Sequence, residues 1–134
     1  MKVSLLIADS DGSLAAVFRR FLPTCYDVDT ARGGVECLSK LRNWAPDVLL
    51  LANCLPWGGA DGVLAEMRED ARLCEVPVVL ITDGDQAERL AGLMPSVVDR
   101  LARPFPLVQL LDRIRAAAFP IRNGELKEGH RCAL

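Results

Sequence analysis

The chain is expected to fold as a doubly wound α/β domain, a five-stranded parallel sheet with helices on both faces. Short apolar runs alternate with amphipathic stretches five times along the sequence. Three of the runs are rich in Val, Leu and Ile at successive positions, as strands covered from both sides require. Short strand-to-strand crossovers of this kind give parallel pairing with right-handed connections.

The strands are expected at Val3 to Ala8, Tyr26 to Thr30, Val48 to Ala52, Val76 to Thr82 and Val97 to Ala102. Between the first two, Leu14, Val17, Phe18, Phe21 and Leu22 fall on one helical face, with Arg19 and Arg20 toward water. Leu38 and Leu41 mark a second helix after Gly33-Gly34, and Leu64 and Met67 a third after Asp61-Gly62. Gln86 to Leu93 reads as a shorter fourth helix. Leu107, Val108, Leu111, Ile114 and Ala118 form the last and clearest stripe. The domain-sized unit is therefore residues 1–118, and periodicity is lost over 119–134, which read as a tail or the start of a linker.

With 134 residues, 51% of them apolar, the chain has the content of one compact domain. Sixteen Lys and Arg stand against 18 Asp and Glu, and neither sign forms a run, which argues against a nucleic-acid partner. No apolar stretch has the length of a membrane span and no cleavage pattern follows Met1-Lys2, so no membrane association and a cytoplasmic location are expected. Cys25, Cys37, Cys54, Cys74 and Cys132 are odd in number and contain no C-x-x-C pair, and four of them lie in apolar or amphipathic segments. They are read as packed, reduced thiols, not as a disulfide framework or zinc site.

In an open parallel sheet, chemistry sits at the carboxyl ends of the strands. Those ends are Asp9-Ser10-Asp11, Ala52-Asn53-Cys54, Thr82-Asp83 and Arg103-Pro104-Phe105. Together with Pro46-Asp47-Val48-Leu49-Leu50-Leu51-Ala52-Asn53-Cys54-Leu55-Pro56 and the later Asp61-Gly62, this set resembles the receiver family of bacterial response regulators, typified by the stand-alone chemotaxis regulator. The resemblance runs from about Val3 to Ala118 and implies the strand order 2-1-3-4-5.

The resemblance also shows what is missing. It implies a phosphate-accepting aspartate at the end of the third strand, where Ala52 stands, and a methyl group cannot take a phosphoryl group. Asn53 points to the other side of the strand unless a bulge re-aims it, and an amide is a poor nucleophile in either case. A divalent ion would be held by an acidic pair, the accepting aspartate and a backbone carbonyl. Here Asp9 remains, Ser10 replaces the second acid, Ala52 removes another carboxylate and the carbonyl belongs to Cys54. Asp11 compensates only in part, so Mg2+ binding is expected to be weak or absent and no other cofactor is expected.

Arg103 replaces the lysine that the resemblance places beside the phosphoryl group. Its planar fork suits a lasting pair with Asp9 or Asp11. The resemblance implies a cis bond before Pro104. Thr82 keeps the switch hydroxyl, while Arg100 replaces the aromatic partner on strand five.

Several of these residues have plain structural readings. Asp9, Asp11 or Ser13 would cap the first helix, Thr82 would serve as a β-branched strand residue, Cys54 as inert packing and His130 as a solvated residue. The face formed by helix four, strand five and helix five carries Met94, Arg100 and Phe105, with Arg113 and Arg115 nearby. It is the expected surface for a histidine kinase, another regulator, an output protein or a second copy of the chain.

The leading expectation is thus a non-enzymatic pseudo-receiver in phosphorelay signalling that works through protein contacts. The alternatives are a receiver-like domain that senses a small molecule or anion beside Thr82 and Arg103, and a flavodoxin-like redox protein. The latter lacks the expected Ser/Thr/Gly-rich phosphate loop.

Overall fold

The computed structural model describes residues 2–56, 59–83, 97–119, 121–122 and 125–126. Five strands, β1 (Val3–Ala8), β2 (Tyr26–Ala31), β3 (Val48–Ala52), β4 (Val78–Thr82) and β5 (Val97–Ala102), form one sheet in the order β2-β1-β3-β4-β5. All four pairings are parallel. Helices α1 (Ser13–Phe21), α2 (Gly34–Trp44), α3 (Gly59–Glu69) and α4 (Leu107–Ala118) cover it. The expected order and doubly wound architecture are therefore present. The expected helix over Gln86 to Leu93 lies outside the described residues.

Alternation along the strands divides the core in two. Leu6, Leu49, Leu51, Val78 and Leu80 face α2 and α3, meeting Cys37, Leu41, Val63, Leu64 and Met67. Leu5, Ile7, Val48, Leu50, Val79 and Ile81 face α1 and α4, meeting Ala15, Phe18, Leu110 and Ile114. Every residue of β3 and β4 is buried, which explains why those segments carry no polar face in the sequence. β5, at the sheet edge, buries only Leu101 fully.

Several expectations need correction. Phe21 is 66% exposed, because the buried stripe of α1 runs through Ala15 and Phe18; Arg20 lies over the Phe21 ring at 5.5 Å. In α4, Leu107 and Val108 are exposed, and the stripe runs through Leu110, Ile114, Ala117 and Ala118. β2 extends to Ala31, whereas β4 starts at Val78, since Val76 is spent in a turn bonded to Leu73. Asp61-Gly62 lies inside α3, which already begins at Gly59. Of the described cysteines only Cys37 is buried, and burial pushes its thiol up to about 12; Cys25, Cys54 and Cys74 are exposed. Beyond α4, β6 (Ile121–Arg122) and β7 (Glu125–Leu126) pair antiparallel within the stretch read as a tail or the start of a linker.

The edge strand β2 is tied to α2 through Lys40. Its Nζ donates to Asp29 Oδ1 at 3.0 Å and to the Thr30 carbonyl at 2.6 Å, and lies 3.4 Å from Glu36 Oε2. Burial pushes the Asp29 carboxyl up, but the bonds from Lys40 and the Thr30 N–H outweigh it, leaving the group below its ordinary value. The Arg32 N–H holds Glu36 below its ordinary value, and the bond to Asp29 raises Lys40. Carboxylates lowered on folding stabilise above their unfolded pKa and lose that contribution as pH falls through the folded value. A lysine raised on folding contributes until pH climbs through its folded value. The cluster thus acts across neutral pH and fails at both extremes. Lys40→Met is expected to lower stability at pH 7 by roughly 0.5–1 kcal/mol, a small figure because all three side chains are partly exposed. In urea titrations the gap from the parent chain should close as pH falls below the carboxylate range. A gap independent of pH would refute the assignment.

Candidate functional site

The carboxyl ends of β1, β3, β4 and β5 bring Asp9, Ala52, Thr82 and Arg103 to one end of the sheet. β1 delivers Asp9, whose N–H bonds the Ala31 carbonyl of β2 at 2.9 Å and fixes the first residue past the strand. The turn that follows is organised by carboxylates. The Asp11 N–H donates to Asp9 Oδ1 at 3.1 Å, and the Ser13 N–H donates to Asp11 Oδ1 at 3.0 Å.

Ser13 is the first residue of α1 and not its cap; Gly12 takes that position without a side-chain cap bond. Asp11 satisfies one free N–H there, as its structural reading expected. The Ser13 N–H and hydroxyl, and more weakly Arg103, hold the Asp11 carboxyl below its ordinary value.

Arg103 reaches back across the site. Its Nη2 donates to Asp9 Oδ2 at 2.6 Å, and its Nη1 stands 3.7 Å from Asp83 Oδ2. The Asp9 side chain is 9% exposed and the guanidinium side chain 35%. Of the two expected partners it is Asp9 that pairs, while Asp83 is a third member that the sequence had not suggested. The Arg103 N–H bonds the Thr82 carbonyl at 2.8 Å, and the following bond to Pro104 is cis, as expected. The guanidinium therefore joins the tips of β1, β4 and β5.

At the tip of β3, Ala52 is 2% exposed and in register with Ile81. The β3–β4 pairing runs without a shift, so no bulge re-aims Asn53, which begins a turn while its N–H bonds the Ile81 carbonyl at 3.0 Å. Cys54 follows and is exposed. Two buried polar atoms, Asn53 Oδ1 and Thr82 Oγ1, have no hydrogen-bond partner among the described residues. Thr82 itself is fully buried. Replacing a buried, unpaired hydroxyl by a methyl removes a desolvation cost, so Thr82→Val is expected to stabilise by about 1 kcal/mol in urea unfolding. A loss of that size would show that the hydroxyl has a partner.

The donors do not suit a divalent cation. Both Asp9 oxygens already accept hydrogen bonds, one from a fixed positive charge, and Ser10 and Ala52 offer no carboxylate. Among the described residues, no three His, Cys, Asp or Glu side chains converge closely enough to hold a metal ion.

The expected output face is described in part. Arg100 and the 52% exposed Val98 line a groove of about 370 Å3 along β5 with Val97 and Asp99. Arg113 Nη1 donates to Asp99 Oδ2 at 3.2 Å. Phe105 is half-buried and packs against the α1/α4 side of the core, while Met94 lies outside the described residues. Among the described residues no helix is long and apolar enough to cross a membrane.

A doubly wound sheet in this order, with an acidic turn after β1, a threonine ending β4 and a cis proline after β5, defines the class of receiver-like domains. Comparison with known proteins agrees. The chain is 34% identical over 118 residues to the response regulator MprA of Mycobacterium sp. (strain KMS), covering 87% of this chain and 50% of that protein. It is likewise 34% identical over 117 residues to a Guillardia theta protein, ycf27, assigned as a transcriptional regulator, covering 86% and 45%.

Among solved structures, a Chloroflexus aurantiacus J-10-fl protein assigned as a response regulator superposes with a TM-score of 0.76 at 27% identity, covering 88% of this chain and 98% of that one. The receiver domain of the Pseudomonas aeruginosa sensor histidine kinase PA1611, solved with magnesium in its active-site cleft, shares the fold at 19% identity, with a TM-score of 0.76 and coverage of 88% and 98%. No family model matches the chain. The chain carries a response-regulator receiver domain of two-component signalling, and it spans about half the length of the curated relatives it matches.

Proposed function

We propose that this receiver domain signals by binding other proteins and does not pass through an aspartyl phosphate on β3. The observation that carries this reading is Ala52. A buried methyl group ends the strand where the chemistry needs a carboxylate nucleophile. Asn53, the neighbouring polar side chain, is an amide.

Other features support it. Arg103 holds Asp9, so Mg2+ binds weakly or not at all, and the domain acts without a cofactor and without catalysing a reaction. The near-balance of charge suits protein partners in the cytoplasm better than nucleic acid or a membrane surface. The partners are a histidine kinase, another regulator or an output protein. A second copy of the chain is a further candidate for the face built by β5 and α4. The similarity to receiver domains leaves the flavodoxin-like redox alternative without support.

Beryllofluoride with Mg2+ tests the reading, since it mimics a phosphoryl group only where a carboxylate and a metal receive it. The amide spectrum of the chain is expected to stay unchanged on its addition. Stoichiometric shifts centred on Asp9, Ala52 and Thr82 would overturn the proposal.

A further inference from the structure

We propose that Arg103 is the resident cation of this site, and that its hold on Asp9, more than the shortage of carboxylates, keeps divalent metal ions out. The inference rests on the binding-only reading above and deepens it, because it makes the resting state of the domain independent of magnesium.

Loss of carboxylates alone does not explain exclusion. Mg2+ commonly binds through one or two carboxylates and keeps several waters. Two carboxylates, Asp9 and Asp11, still stand just past β1, so the count of acids alone does not fall below that minimum. What the minimum lacks is a free Asp9. Its Oδ2 accepts Arg103 Nη2 at 2.6 Å and its Oδ1 accepts the Asp11 N–H at 3.1 Å.

An incoming ion must displace the guanidinium and then sit beside it. A second contact adds to the hold: Nη1 lies 3.7 Å from Asp83, just past β4, so carboxylates from β1 and from β4 both attract the guanidinium.

Manganese broadening of amide signals tests this without any phosphodonor, so its result is separate from that of the phosphorylation reading. In the parent chain the Asp9 and Asp11 signals should persist at Mn2+ concentrations that erase them in Arg103→Ala. The apparent affinity in the variant should be at least about tenfold tighter. Should Arg103→Ala fail to fold, as judged by its amide dispersion, Arg103→Gln carries the same titration, since it can still bond Asp9 without a charge. Broadening in the variant with none in the parent supports the proposal. Equal broadening in the parent, or none in a folded variant, overturns it.

Discussion

Phe18→Ala is expected to destabilise the domain by about 3–5 kcal/mol, the range for deleting a buried aromatic side chain and leaving a cavity. Phe18 is fully buried on the α1/α4 side of the sheet and meets the Tyr26 ring edge-on at 5.0 Å. The core cluster it belongs to includes Leu5, Ile7, Leu50 and Ile81 on interior strands, so the space collapses only in part. Phe21→Ala, one turn later, is the control. That ring is 66% exposed and its loss should change stability by less than about 0.5 kcal/mol. Urea midpoints of the two variants measure the contrast, and similar losses would contradict the placement of α1.

Ala52→Asp is the second large effect. Restoring the missing carboxylate should cost about 2–4 kcal/mol of stability, because position 52 is 2% exposed and continues the apolar side formed by Val48 and Leu50. Arg103, a cation at the strand tips, is already paired with Asp9 and Asp83. The variant should also gain little aspartyl phosphate from acetyl phosphate and Mg2+, since Asp9 remains occupied and Ser10 supplies no second acid. Urea unfolding and intact mass read the two halves of this prediction. A variant as stable as the parent and fully phosphorylated would show that only the nucleophile had been lost.

The strands were legible because β1, β3 and β4 are short, continuous apolar runs, as a sheet covered on both faces requires, whereas their order was implied by the family resemblance. Helix faces were less so. The periodic positions include Phe21, Leu107 and Val108 at helix ends, which are exposed among the described residues. Hydrophobicity alone does not say where a helix loses its neighbour.

Within the site, a pair of Arg103 with Asp9 or Asp11 could be foreseen from charge and position, since all three stand just past the carboxyl end of a strand. Asp83 could not, because its role depends on how far the guanidinium reaches across β4. The unpaired atoms of Asn53 and Thr82 also depend on three-dimensional surroundings. The exposure of Cys54 went the other way, because the chain has already turned away from β3 there.

The central claim is the absence of a phosphate acceptor on β3, and intact mass after incubation with acetyl phosphate and Mg2+ tests it most directly. The account predicts an unchanged mass under conditions that label a receiver carrying the aspartate. A stoichiometric, base-labile gain of one phosphoryl group would contradict it.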